Sequence, residues 1–519
     1  MNLPHEKENR DVIPNWRSFK ITSDLGELSK FSYKPDLIFD LEALKLDWKN
    51  NKTIGVAADL LNAYFISNKK LDSVIIEASE FITFSSKPPK LLHQLSSRIN
   101  SKSREIVHDT QIIFEGKKND LISKIRFLIE NTARRQISFY KELVKNDPRN
   151  PINWVELSRL YSIEGNKIKS EKCIINALHL APNNRYVLRC ATRLFIENEK
   201  PEMAIYYLRK SSQVAVDPWI TSAHIAVSSY LEKYSPFIKN AFKQRESNKF
   251  TNFDLTELNS SLGTLELSNG TFKKARSLFN DSLKLPNDNS LAQFQFVLNQ
   301  DKRLSSVVNS NSYNVKNNFE ALALKYRDEG EWDKSLDNAL QWFLDVPYSA
   351  DPAVFSSYIL CTVFGDYDTA VEVCLLALRI NPSDPTLTNN LVYSLLNLNR
   401  ISEAEKYLAQ LNHTLKESVD SINIESKITA IATNALYLIK INNIEEGLNL
   451  YKEAITLAKK TKMNYCVLSA KLNMAKELKN TTSPIFNEME KEILKLNLSD
   501  YKDLSEFRKR NFPSKISIN

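Results

Sequence analysis

Histidine, cysteine and clustered acids are the side chains with which this 519-residue chain could do chemistry, and they are scattered. The six histidines are isolated, and His5-Glu6 lacks the second histidine that a zinc-binding helix requires. The five cysteines, at 173, 190, 361, 374 and 466, contain no Cys-x2-Cys pair. They fall mostly at core slots of helical patterns and read as small buried hydrophobes in a reducing compartment. Phosphate-cradling glycine loops are excluded, because Gly263 and Gly270, the closest two of the nine glycines, are seven positions apart. Asp36, Asp40, Glu42 and Asp47 could hold a divalent cation, but the capping or solvated start of a helix accounts for them better. The expectation is a chain that is not an enzyme, with no metal and no cofactor.

The residues that recur are small ones. Ser170, Ala204, Ala241, Ala275, Ser335, Ala370, Ala404 and Gly447 return to one slot, with steps of 34 from 170 to 204, 241 to 275 and 370 to 404, and of 35 from 335 to 370. A fixed period in this range is the mark of stacked supersecondary units. Small residues are needed where two helices cross at short range, since a larger side chain would push the backbones apart. In the clearest unit, Trp154, Leu157, Ser158 and Tyr161 share one face of a first helix. Gly165-Asn166 makes the turn, Ser170, Ile174 and Ala177 mark a second helix, and Pro182 stops it.

This unit resembles the tetratricopeptide repeat (TPR), whose pattern is Trp-x2-Leu-Gly-x2-Tyr, then Ala-x3-Phe, then Pro. Ser158 stands for the glycine, Ser170 for the alanine and Ile174 for the phenylalanine. Later units keep the frame, as in Leu322-Ala323, Tyr326, Gly330, Ser335, Ala339 and Pro347. The resemblance implies an all-α fold, an α-solenoid of helix-turn-helix repeats wound into a right-handed superhelix. Each repeat buries its apolar face only on its neighbours.

Composition agrees with such a fold. The chain is 42% hydrophobic with few glycines, and its net charge of +8 is mild for its length. No apolar run of about 18 residues suggests a membrane span, and no basic and apolar leader is evident near Met1. A cytoplasmic protein is expected. The densest basic stretch, Lys233, Lys239, Lys243, Arg245 and Lys249, reads as a solvated outer helix rather than a nucleic-acid contact.

Along the chain, residues 1–35 read as an extended arm with Trp16 and Phe19 set in polar sequence. Residues 36–115 form a divergent helical region, with a hairpin of 54–67 and 70–84 and a boundary at Pro88-Pro89. The repeat array occupies 116–460. Uneven steps in the small-residue slot predict interruptions near 212–220, 300–316 (a polar loop) and 412–426 (an insertion), and so a segmented spiral. Residues 461–519 supply C-terminal helices, one over 464–479 and an amphipathic one over 485–512, with a frayed basic tail at Arg508-Lys509-Arg510-Asn511-Phe512-Pro513.

In proteins of the resembled family the first helix of each unit lines a concave groove. Carried over by position, the groove residues are Arg159, then Tyr186, Arg189 and Arg193, then Phe355, Ile359 and Thr362, then Asn389, Tyr393 and Leu396, with Asn390 beside them. The first half would be basic and the later half apolar with amides. The arginines could meet an acidic ligand through charge-assisted hydrogen bonds, and the amides could hold a peptide backbone. Equally, the arginines could pair with neighbouring acids such as Glu156 and Glu197. The Lys and Asn of the family's carboxylate clamp are not all in frame, which speaks against a C-terminal carboxylate ligand.

The favoured function is a scaffold that binds a protein or peptide partner in this groove, an effector enzyme among the partners it would regulate. The alternative is an RNA-associated scaffold using a basic groove, which salt would distinguish. A third class, repeats fused to an enzyme, would need a catalytic domain in 1–115, where no motif is found. The sequence names neither the partner nor an oligomeric state.

Overall fold

The computed structural model describes residues 41–67, 71–84, 96, 99, 118–247, 249–308, 310–417, 424–479 and 485–513. The arm at 1–35, Asp36 and Asp40, Pro88-Pro89 and part of the 412–426 insertion lie outside them. All regular structure among the described residues is helical. The chain divides into two units, one within residues 20–117 and one that includes everything from 118 onward.

In the smaller unit, helices α1 (Leu41–Asn50), α2 (Ile54–Ser67) and α3 (Ser73–Phe84) pack together. Their core joins Trp48, Leu60, Leu61, Ile75 and Ala78. The expected hairpin is thus present, with α1 added to it.

The larger unit is a run of antiparallel helix pairs. It begins with α4 (Lys118–Phe127), which continues through a π-helical turn at Leu128–Thr132 into α5 (Ala133–Asn146). Three pairs follow: α6 (Pro151–Ile163) with α7 (Lys167–Leu180), α8 (Arg185–Glu197) with α9 (Pro201–Lys210), and α10 (Pro218–Tyr230) with α11 (Ile238–Glu246). Next come α12 (Thr256–Ser268) with α13 (Phe272–Ser282), then α14 (Asp288–Gln300), which leads into two 3-10 turns. Further on, α15 (Phe319–Glu329) pairs with α16 (Trp332–Asp345). Then α17 (Asp351–Ile359), extended by a second π turn at Leu360–Phe364, pairs with α18 (Tyr367–Leu378). The array ends with α19 (Pro385–Asn397) and α20 (Ile401–Glu417), α21 (Ile424–Lys440) and α22 (Ile444–Lys460), α23 (Asn464–Leu478), α24 (Ile485–Leu494) and α25 (Lys502–Asn511).

Local sequence starts these helices. Asn150, Asn166, Asn184, Asp217, Asn287 and Asp384 each accept a first-turn N–H on a side-chain oxygen, which satisfies donors that the helix leaves unpaired. Proline sits in the first turn of α6, α9, α10, α17 and α19, where its missing N–H costs nothing. The small-residue slot is where the paired helices cross. In the first pair, Ser158 Oγ donates to Ser170 O and Ser170 Oγ to Ser158 O, both at 2.8 Å.

Between α14 and α15 the segment 300–316 carries 3-10 turns at Lys302–Val307 and Ser310–Tyr313, with Leu304 and Val307 buried. One expectation is corrected: the tail at Arg508-Lys509-Arg510 is not frayed but forms the last turn of α25, whose Leu504 and Phe507 find a buried site.

The larger unit also closes on itself. Helix α4 packs along α16, and Lys118–Asp366, Arg126–Glu372 and Glu130–Arg379 ion pairs span the seam. At the α6–α7 turn, Gly165 lies directly beneath the backbone carbonyls of Arg379 and Ile380.

Candidate functional site

Internal pairing decides what the first half of the groove can do. Arg159, Tyr186, Arg189 and Arg193 do project inward from α6 and α8, as the repeat frame requires, but their polar groups are answered within the chain. Arg159 Nε and Tyr186 Oη both reach Glu156, each at 3.0 Å. Arg193 pairs with Glu197, one turn along its own helix. Arg189 Nη2 donates to Glu257 Oε1 at 2.9 Å and its guanidinium lies 4.5 Å from the Trp219 ring centroid. Glu257 Oε1 also accepts from Asn287 and Asn289, at 2.7 and 2.9 Å. Arg189 and Arg193 are buried, at 4% exposure each. This half of the groove is therefore filled by its own ion pairs, and the pairing alternative describes its geometry.

The second half is open. A cavity of about 310 Å3 is walled by α15, α16, α17, α19, α21, α22, α23 and α25. Phe355, Thr362, Asn389, Asn390 and Tyr393 line it. Ile359 and Leu396 do not; both are fully buried between helices.

The wall is largely aromatic and apolar, with Arg327, Asp351 and Glu425 as its charged residues. Burial raises the hydroxyl pKa of Tyr358, Tyr393, Tyr451 and Tyr465 well above the ordinary tyrosine value, so all four remain protonated. Burial likewise pushes the Cys361 and Cys466 thiols up to about 12, which removes them as nucleophiles at neutral pH. Tyr393 Oη donates to Asn473 Oδ1 at 2.6 Å, and Asn390 Nδ2 to Ser357 Oγ at 3.0 Å. Two wall residues keep a buried polar atom without a partner in the chain: Asn389 at its Oδ1 acceptor and Trp342 at its Nε1 donor. The first could accept from a peptide N–H and the second could donate to a peptide C=O. Among the described residues no group of three or more His, Cys, Asp and Glu side chains could hold a metal ion.

The repeat frame could not reach Trp342, which stands on a second helix, nor Tyr465 and Phe507, which follow the regular array. Tyr358 was within reach, since it stands three residues after Phe355 on the same helical face.

No protein-family model matches the chain, and no curated protein matches it in sequence. Among solved structures, it is similar to the crystal structure of yeast Tom70 at 13% identity and a TM-score of 0.30, over 76% of this chain and 96% of that one. It is also similar to the structure of Naa15/Naa10 bound to HypK-THB at 12% identity and a TM-score of 0.26, over 98% of this chain and 85% of that one. Neither likeness transfers a partner or an activity. The chain's own paired helices and recurrent small-residue crossings make it an α-solenoid of helix-turn-helix units, whose pattern resembles the TPR.

Proposed function

We propose that this chain is a non-catalytic repeat scaffold that holds an apolar segment of a protein partner in the groove between α15 and α25. Binding would act by placing or restraining that partner, an effector enzyme being one class that fits. The observation that carries this reading is the aromatic cavity, whose lining residues Asn389 and Trp342 each leave one buried polar atom without a partner in the chain. Buried polar atoms are nearly always satisfied, so such atoms beside a concave surface favour a ligand that brings hydrogen-bonding groups of its own. The cavity volume is at the lower end of the range for specific sites, enough for one or two large side chains. Phe355, Asn389, Asn390 and Tyr393 are the contact residues. Arg159, Tyr186, Arg189 and Arg193 would shape the scaffold instead. The RNA reading loses its basic groove to the internal ion pairs.

The test is a photo-cross-linking amino acid at Tyr393, with Lys406 on the exposed back of α20 as control. A partner captured from Tyr393 alone, and lost on Asn389→Ala, is expected. Equal capture at both positions would sink the groove assignment. Recovery should change little between about 50 and 200 mM salt, where phosphate-dominated binding would weaken by orders of magnitude.

A further inference from the structure

Helix α25 should not be a stable helix in its own right. Its ten residues, KDLSEFRKRN, hold two large apolar side chains and four basic ones, and helices this short are marginal in water. It is ordered because the groove receives it. Leu504 and Phe507 are buried at 1% and 2% exposure, and both line the cavity described above. Asp503 accepts from Tyr358 and Tyr465, which stand on α17 and α23. Lys502 Nζ donates to Asp328 O on α15 at 2.7 Å. At the far end, Arg510 donates to Val363 O at 2.7 Å and to Cys361 O at 3.1 Å.

Those two carbonyls belong to the π turn that ends α17, where the last C=O groups lack intrahelical partners and carry the negative end of the helix dipole. A guanidinium is the natural cap for them. The next residue, Gly365, leaves room for it: a Cβ there would lie 2.7 Å from Arg510 Nη1 and 2.8 Å from Cζ. The receiving surface therefore has a matched acceptor pair, a tyrosine pair and an apolar floor, drawn from helices more than 100 residues apart in sequence.

We infer that α25 is a built-in occupant of the groove, and that the partner is an amphipathic helix which competes with it using the same anchors: an acid, two apolar residues at the next and fourth positions on, and an arginine one further turn along. The inference rests on the groove reading above and names the class of partner. Leu504 and Phe507 also share a core with Leu472, Ala475, Ile493 and Leu498, and Arg508 Nη1 donates to Ile493 O and Leu496 O, so release would carry 495–501 along with α25 while the earlier helix pairs stay stacked. Ligands that bind the emptied groove shift the chain toward the released state only by their advantage over α25 itself.

The probe is a fluorescein-labelled synthetic peptide of residues 499–513, read by anisotropy against the full chain. The full chain carrying Phe507→Asp and Arg510→Glu is expected to bind it at least about tenfold more tightly than the wild type, in which α25 already holds the same anchors. The same peptide with Arg510→Glu should not bind. A variant that keeps the wild-type circular dichroism and elution volume but binds the peptide no more tightly than the wild type would overturn the inference. Should the variant not fold, hydrogen exchange on the wild type decides. Amides of 504–511 are expected to exchange about a hundredfold faster than those of 388–396 in α19, and equal protection would make α25 a permanent wall. Equal cross-linking of one partner at Tyr393 by wild type and released variant would leave the groove reading standing and remove this inference. Peptide binding with no capture at Tyr393 would do the reverse.

Discussion

Glu257 is fully buried, and three donors converge on its Oε1: Arg189, Asn287 and Asn289. Burial raises its carboxyl pKa, with Arg189 and the two amides pulling in the opposite direction. Removing the carboxylate strands a buried guanidinium, so Glu257→Ala is expected to cost about 3–5 kcal/mol in denaturant unfolding. Replacing both partners, as Arg189→Met with Glu257→Leu, should restore most of that, because neither charge is then left unpaired. Arg189 was legible as an inward-facing residue from its place in the repeat. Its partner was not, lying 68 residues away on a helix two pairs later.

His224 gives the second prediction at this scale. It is fully buried, its Nε2 accepts from Arg209 Nε at 3.3 Å, and its Nδ1 lies 2.9 Å from Ser235 Oγ. Burial, and then the Arg209 charge, hold its pKa down at about 4. The unfolded chain protonates this ring near pH 6.5, so as pH falls the unfolded state takes up the proton first. Its contribution is complete above pH 6.5 and lost between 6.5 and 4, with a ceiling of about 3 kcal/mol. Asp384 runs the other way, since burial lifts its carboxyl to about 6 and stability from it is gained as pH falls from 6. The difference between wild type and His224→Gln in unfolding free energy, measured from pH 7 to pH 4, isolates the histidine and should shrink toward acid.

Among the elements, the small-residue slot was readable because both sides of each crossing lie within one repeat. All eight positions are buried. Gly447 shows how close the approach is: a Cβ there would lie 2.6 Å from Ile439 Cγ1 and 2.8 Å from Ala435 O. On an exposed helix Gly→Ala stabilises by about 1 kcal/mol through propensity. Here overpacking reverses the sign, and Gly447→Ala should lower stability by about 1–3 kcal/mol in thermal unfolding. The step lengths carried information that spacing alone could not decode. The step of 35 from Ser335 to Ala370 contains the π turn at 360–364, and a π turn is the insertion of one residue into an α-helix. Apolar periodicity barely registers one added residue, so neither the turn nor its exposed carbonyls could be foreseen. The amphipathic pattern over 485–512 was legible, but its break into α24 and α25 and the surface that buries the second were not.

For the molecule as a whole, the repeat count says nothing about where the superhelix meets itself, since each step fixes a contact with the next repeat only. The seam joins α4 to α16 and carries three ion pairs whose side chains are between 27% and 49% exposed. Pairs so exposed contribute about 0–1 kcal/mol each and weaken with salt. The α6–α7 turn is a different kind of contact. Gly165 has φ of +76°, and a Cβ would fall 2.8 Å from Arg379 O and 3.1 Å from Ile380 O, backbone atoms that cannot rotate away. Gly165→Val therefore combines a strained left-handed conformation with a clash across the seam. Small-angle scattering separates the two contributions. About 1 M NaCl, which shortens the screening length to about 3 Å, should leave the radius of gyration unchanged. The Gly165→Val chain should expand while keeping its helical circular dichroism, because the pairs stay folded and only the seam parts. Expansion of the wild type in salt alone would mean that the ion pairs hold the seam and that the glycine contact is incidental.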